Sequence, residues 1–205
     1  MKSGYHHGNL RQALIEASLA LIAQQGPNGF TLSEAAKAAG VTPAAVYRHF
    51  AGRDELLAEV ARQGFDIFAA LMEFAYGGGK PSALAAFEAT GRAYLAFARK
   101  YPGHYMAMFE AGLNLNAHPD LALVAARARG VLERAAEGLS QHMPPGRRPP
   151  ATMFSAHIWA MSHGVVELFM RGSGAKSPYT PEDLLEAGIG IYLRGLGLLP
   201  PDREG

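Results

Sequence analysis

The side chains best suited to chemistry lie between Thr31 and Arg53, and their chemistry is that of holding a partner. Tyr47-Arg48-His49-Phe50-Ala51-Gly52-Arg53 brings a phenol, an imidazole and two guanidinium groups within seven residues. Donors of this kind satisfy phosphate oxygens of a nucleic acid backbone. Arg48 has two readings: turned inward it grips a guanine bidentately, and laid outward it follows the backbone.

Other chemistries lack their residue patterns. The paired carboxylates Asp54-Glu55 and Glu182-Asp183 stand where helices should begin, which suits the helix dipole better than acid–base catalysis. No Ser-His-Asp arrangement, HExxH pattern or strand-borne phosphate loop occurs. Gly77-Gly78-Gly79 follows a helical run and precedes Pro81, the wrong context for cradling phosphate. His104, His118, His142, His157 and His163 lack the pairing at three or four residues that a helical metal site needs. Cysteine is absent, which removes disulfides and thiolate ligands. No catalytic residue, metal or cofactor is therefore expected. With 49% hydrophobic and 18% charged residues, the chain should fold as a globule. The lack of an apolar span or leader points to the cytoplasm and away from the membrane. A net charge of +1 gives no general attraction to DNA, so binding must rest on local geometry.

The periodicity is helical nearly throughout, giving an all-α expectation with about nine helices: 9–25, 32–39, 43–50, 53–75, 82–100, 102–112, 119–142, 150–171 and 181–199. In the first, Leu10, Leu14, Ala17 and Leu21 recur at helical spacing. Thr31-Leu32-Ser33-Glu34 fits a capping box. Gly40 then suits a left-handed turn, and Thr42-Pro43 starts the next helix as N-cap and first residue. Val46 and Phe50 point back to the core, with Val41 between the two helices. Two short helices joined by a glycine turn make a helix-turn-helix, whose second helix enters the major groove. A plain alanine-rich hairpin has the same two helices; the cluster Tyr47–Arg53 is what separates the two readings. The helix from Arg53 to about Ala75 spans roughly 34 Å, long enough to join two domains.

Gly29-Phe30-Thr31-Leu32, Ala35-Ala36, Ala39-Gly40-Val41-Thr42, Tyr47-Arg48-His49-Phe50 and Arg53-Asp54-Glu55-Leu56-Leu57 together resemble the TetR/AcrR regulators over about the first 60 residues. The resemblance implies a homodimer on a palindromic operator in double-stranded DNA, a repressor released by a small-molecule effector. It implies that Tyr47, His49 and Arg53 touch phosphates and that Thr31 meets the backbone through its helix N-terminus. Thr42, Ala44 and Ala45 would face bases, with Ser33, Pro43 and Arg48 completing the DNA-binding set. Tyr5-His6-His7-Gly8-Asn9-Leu10-Arg11 is similar to a segment in part of the family. Its Lys2, His6, His7 and Arg11 either reach along the DNA or belong to a frayed terminus; a metal pair at His6-His7 is the remaining alternative. Trp159-Ala160-Met161-Ser162-His163-Gly164 resembles the signature of a WHG-type C-terminal domain.

These readings divide the chain into a DNA-binding domain, 8–68, and a ligand-binding and dimerisation domain, 69–205. A reading helix covers few base pairs, so a second copy should sit about 34–36 Å away or at a multiple of that distance. The dimer surface expected is Leu184, Gly188, Ile191, Gly195 and Leu198 on the last helix, with Phe154, Ile158, Val165 and Leu168 on the one before. A broad apolar pocket is expected from Phe65, Phe68, Met72, Tyr94, Phe97, Tyr101, Tyr105, Met106, Phe109, Trp159, Met161 and His163, though helical cores use the same residues. Such a lining suits an uncharged or weakly polar effector.

Overall fold

A computed structural model describes residues 7–144, 146, 148–171 and 178–200, with side chains from Leu10 onward. The readings placed on Lys2, His6 and the His7 side chain lie outside the described residues. Among the described residues are nine α-helices and no strand: α1 (His7–Gln25), α2 (Leu32–Ala38), α3 (Pro43–Val46), α4 (Arg53–Tyr76), α5 (Ala83–Lys100), α6 (Pro102–Phe109), α7 (Pro119–Ser140), α8 (Ala151–Val165) and α9 (Pro181–Gly195). The all-α class and the order of helices expected from periodicity are both observed.

Local chemistry sets the helix ends. At α2, the Thr31 hydroxyl accepts the Glu34 N–H at 3.2 Å and the Glu34 carboxylate accepts the Thr31 N–H at 2.7 Å, a complete capping box. At its far end Gly40 takes φ +71°, with Gly40 N–H bonded to Lys37 C=O and Val41 N–H to Ala36 C=O. The last helix uses the same two devices. Thr180 and Asp183 form its capping box, and Gly197, at φ +74°, ends it with the same pair of backbone bonds. That glycine is why α9 stops at Gly195, short of residue 199. Three further ends differ from the periodicity. The α-helical part of α3 closes at Val46, α6 at Phe109, and α8 passes at Val166–Arg171 into a wider π-helical turn. Val166 is fully buried, continuing the face of Ile158 and Ser162, and Leu168 is 63% exposed.

The chain divides into two compact units, Met1–Ile67 with Tyr101–Ala126, and Phe68–Lys100 with Arg127–Gly205. Helix α4 is continuous through the boundary. In the first unit α1 packs against α2 and α6. The buried face of α1 is Leu14, Ile15, Ser18 and Ile22, so the stripe is rotated from the one read in the sequence; Leu10, Ala17 and Leu21 are half-buried. Ser18 enters the core because its hydroxyl donates to the Leu14 carbonyl at 2.7 Å. Gly103 is needed where α6 meets α1, since a Cβ there would lie 2.9 Å from the Leu19 carbonyl oxygen. In the second unit α5 packs against α8 and α9. Its core includes Phe68 edge-on to Tyr94 at 5.2 Å and Phe87 stacked on Phe154 at 5.4 Å.

One buried charge ties α1 to α4. Glu59 is 9% exposed and accepts from Arg62 at 2.8 and 2.9 Å and from Gln63 at 3.0 Å, with Arg11 at 3.1 Å. Burial pushes its carboxyl up, but the hydrogen bonds from Arg62, Arg11 and Gln63 outweigh this and hold it at about 2. Because the folded value lies below the ordinary 4.5, the carboxylate's contribution is complete above that pH and is lost as pH falls toward 2. Glu59→Gln should lower unfolding stability by about 2–3 kcal/mol at pH 7. The gap to the wild-type chain should narrow as denaturation is repeated from pH 5 down to about 2. A gap independent of pH would contradict the ionised network.

Candidate nucleic-acid interface

The α2–α3 unit has a buried side and an open one. Ala35, Ala36 and Val46 are fully buried, Phe30 is 3% exposed and Phe50 1%. Small residues on α2 let α3 cross closely, and Val46 and Phe50 anchor the second helix as their spacing predicts. Opposite them Thr31, Ser33, Thr42, Pro43, Ala44, Tyr47 and Arg48 are exposed, while Ala45 and His49 are half-buried. Tyr47 stands out at 61% exposure, a large apolar ring with a hydroxyl at its tip. Thr42 has the backbone of an N-cap and Pro43 follows at the first helical position, but the Thr42 hydroxyl makes no capping bond. The threonine thus differs from Thr31, whose hydroxyl is held in its capping box. Past Val46 the backbone stays tightly coiled, with His49 and Phe50 N–H both bonded to the Val46 carbonyl.

Arg53 does something that the sequence does not reveal. Its Nε donates to the Phe30 carbonyl at 3.0 Å and its Nη2 to the Pro27 carbonyl, with Asn28 Oδ1 at 3.3 Å. The guanidinium also lies over the Phe30 ring, 5.2 Å from its centre. It therefore clamps the start of α4 to the loop between α1 and α2. Gly29 in that loop has no room for a side chain, since a Cβ would lie 2.2 Å from the Gln25 carbonyl oxygen. On the neighbouring α1, Arg11 sits 5.0 Å over the Phe50 ring while pairing with Glu59. Its role here is structural and lies beside the DNA-facing one read from the sequence. The contacts of Arg53 join residues more than twenty apart, so no local pattern signals them.

Several of the residues expected to line one pocket are buried within their own units. Phe68, Met72, Tyr94 and Phe97 are at most 2% exposed and pack into the core of the second unit, with Phe68 5.0 Å from Phe97. In the first unit Tyr105 packs on Phe109 at 4.9 Å, Phe65 on Phe109 at 5.7 Å and Tyr101 against His104; Met106 is 7% exposed. Trp159 and His163 instead line a cleft of about 610 Å³ between α7 and α8. Met161 lines a smaller one between α8 and α9 with Val165, Leu168, Leu184 and Gly188. His163 accepts from or donates to the Tyr94 hydroxyl at 3.0 Å, a pairing across 69 residues that spacing does not suggest.

The expected dimer stripe also divides. Phe154 is fully buried and Ile158 is 2% exposed, Phe154 lying between Phe87 and Tyr192 of its own chain. Neither offers surface to a second copy, and both are corrected to core. Leu168 at 63%, Ile191 at 67% and Gly195 remain exposed, with Val165, Leu184, Gly188 and Leu198 half-buried beside them. No helix of the described residues is long and apolar enough to cross a membrane.

Comparisons with known proteins agree with the order of these parts. Residues 14–60 match the description "Bacterial regulatory proteins, tetR family", and residues 87–192 match "Tetracyclin repressor-like, C-terminal domain". The transcriptional regulator AcrR of Shigella flexneri is 44% identical over 50 residues, 24% of this chain and 23% of AcrR, so the match spans roughly a quarter of that relative. A protein of unknown function from Rhodococcus sp. RHA1 superposes with a TM-score of 0.79 at 25% identity, over 95% of this chain and 99% of its own. AibR, in a structure described as a complex with isovaleryl coenzyme A and operator DNA, has a TM-score of 0.69 at 21% identity, over 89% of this chain and 97% of its own. The C-terminal match alone covers just over half of the chain and follows the N-terminal match in sequence, so the chain belongs to the TetR family of bacterial regulatory proteins.

Proposed function

We propose that this chain is a cytoplasmic, non-enzymatic repressor that binds a palindromic operator as a homodimer and is released by a small, largely apolar ligand. The observation that carries the reading is the two-sided α2–α3 unit. Val46 and Phe50 are buried behind it, and Thr42, Pro43, Ala44 and Tyr47 are exposed in front. Residues 8–68 act as the DNA-binding part and 69–205 as the ligand-binding and dimerising part. Thr42, Ala44 and Ala45 face bases; Thr31, Ser33, Pro43, Tyr47, Arg48 and His49 lie toward phosphates; Arg53 chiefly positions the unit through its clamp. A neighbour of the same fold described with operator DNA and a small molecule supports both halves of the reading. The exposed apolar side chains Leu168 and Ile191, flanked by Val165, Leu184 and Gly188, supply the surface for the second copy.

Release requires that ligand favour a state whose two reading helices no longer match the operator spacing. Helix α4 is the element to transmit it, because it begins at the Arg53 clamp and runs without a break to Tyr76. A regulator with the same head that answers to no small ligand is the alternative. Binding to the chain's own upstream DNA, measured with and without a metabolite panel, separates the two. Release by one compound supports the ligand-responsive reading, and indifference to all favours the alternative.

Tyr47→Ala should weaken binding to all duplexes alike, while Ala45→Gln should change which operator is preferred, both read by mobility shift on a mutated operator set. Uniform weakening by both would contradict the division between phosphate and base contacts. Arg53→Lys should lower both stability, by about 1–2 kcal/mol, and operator affinity, since an ammonium cannot reproduce the fork to three acceptors. Full DNA affinity in that variant would mean that only the charge matters. Ile191→Glu should shift the chain toward monomer in sedimentation velocity and weaken operator binding; an unchanged dimer would place the interface elsewhere.

A further inference from the structure

The guanidinium of Arg11, on α1, lies 5.0 Å from the centre of the Phe50 ring, behind the reading helix. We propose that Arg11 is a positioning residue for DNA reading, which braces Phe50 through its ion pair with Glu59 and makes no phosphate contact itself. The inference rests on the DNA-binding reading above and gives this cation a role that its place in the sequence does not suggest.

Three observations carry it. First, α3 has only four residues and is anchored by Val46 and Phe50, so whatever fixes the Phe50 ring fixes the residues in front of it. A cation held at this distance over a ring face is attracted to it. Second, the guanidinium is tethered from its other side. Its Nη1 lies 3.1 Å from Glu59 Oε1, and Glu59 is fixed in turn by Arg62 at 2.8 and 2.9 Å and by Gln63 at 3.0 Å. Turning Arg11 outward to a phosphate would give up both contacts and leave a buried carboxylate with one donor fewer. Third, the surroundings disfavour a duplex backbone. The hollow beside Arg11 is lined by Glu55, Glu59 and Asp120 against Arg11 and Arg62, so carboxylates outnumber guanidinium groups there. Glu55 meanwhile accepts the Ala51 N–H, so the residue after Phe50 is held as well.

Salt dependence separates a brace from a phosphate contact. A residue that neutralises a phosphate releases counterions, so losing it flattens log affinity against log salt by about one unit of slope. Arg11→Met keeps an apolar stem beside Phe50 but removes the charge. On a duplex of the chain's own upstream DNA it should bind at least about tenfold more weakly, with the slope of the wild-type chain. Arg11→Lys, which returns a cation to Glu59 and the ring, should recover most of that affinity. Glu59→Gln frees Arg11 for a phosphate and serves if Arg11→Met folds poorly; its affinity should fall, where a phosphate contact would let it hold or rise. In the free chain, hydrogen exchange of the Phe50 amide, bonded to the Val46 carbonyl at 3.0 Å, should quicken at least about tenfold in Arg11→Met while the amides of α9 keep wild-type rates. A flattened slope or wild-type affinity in Arg11→Met, no recovery in Arg11→Lys, undiminished affinity in Glu59→Gln, or an unchanged Phe50 exchange rate would overturn the proposal. If the exchange result stands but the wild-type chain holds no duplex sequence-specifically, the brace is supported and the regulator reading fails.

Discussion

A helix of four residues has no stability of its own, because nucleating a helical turn fixes several dihedrals for one hydrogen bond. The reading surface of this protein therefore depends on burial behind it. Val46 and Phe50, each at most 1% exposed, hold α3 against Ala35 and Ala36 of α2, and the order of the exposed side follows from that contact. The exposed Ala44 and Tyr47 in front of them can vary in chemistry without removing that contact. The Arg53 clamp and the Glu59 network extend the same principle. Each fixes α4 to the preceding segments through groups that make several hydrogen bonds at once.

Local features were the most legible in the sequence. Helix starts and ends at α2 and α9 follow from Thr31, Glu34, Thr180 and Asp183 and from the left-handed glycines, all of which act within five residues of chain. The inward direction of Val46 and Phe50 follows from four-residue spacing. What the sequence could not carry was long-range company. Arg53 read as a surface cation becomes a clamp because Pro27, Asn28 and Phe30 lie within reach only after folding. Periodicity marks Phe154 and Ile158 as one apolar stripe, but it does not say whether the same chain or a second copy covers them. Here α5 and α9 of the same unit do.

The aromatic set divides for a related reason. Aromatic and methionine side chains at helical spacing serve equally as core and as pocket lining, and composition alone does not separate the two. Phe68 packs on Tyr94 and Phe97 in the core, whereas Trp159 and His163 line a cleft. The near-neutral chain has no broad cationic field to bring it to DNA. On the proposed reading, its specificity comes instead from a small methyl-rich surface used twice, with the distance between the copies doing as much as the contacts of each. On this reading the proposed dimer face around Leu168 and Ile191 is as much a part of DNA reading as Ala44 or Ala45.

Selection of bound duplexes from a random pool by the full-length chain tests this account most directly. The account predicts enrichment of two inverted half-sites whose centres lie about 34–36 Å apart or at a multiple of that distance. Enrichment of a single asymmetric site, or none, would contradict it.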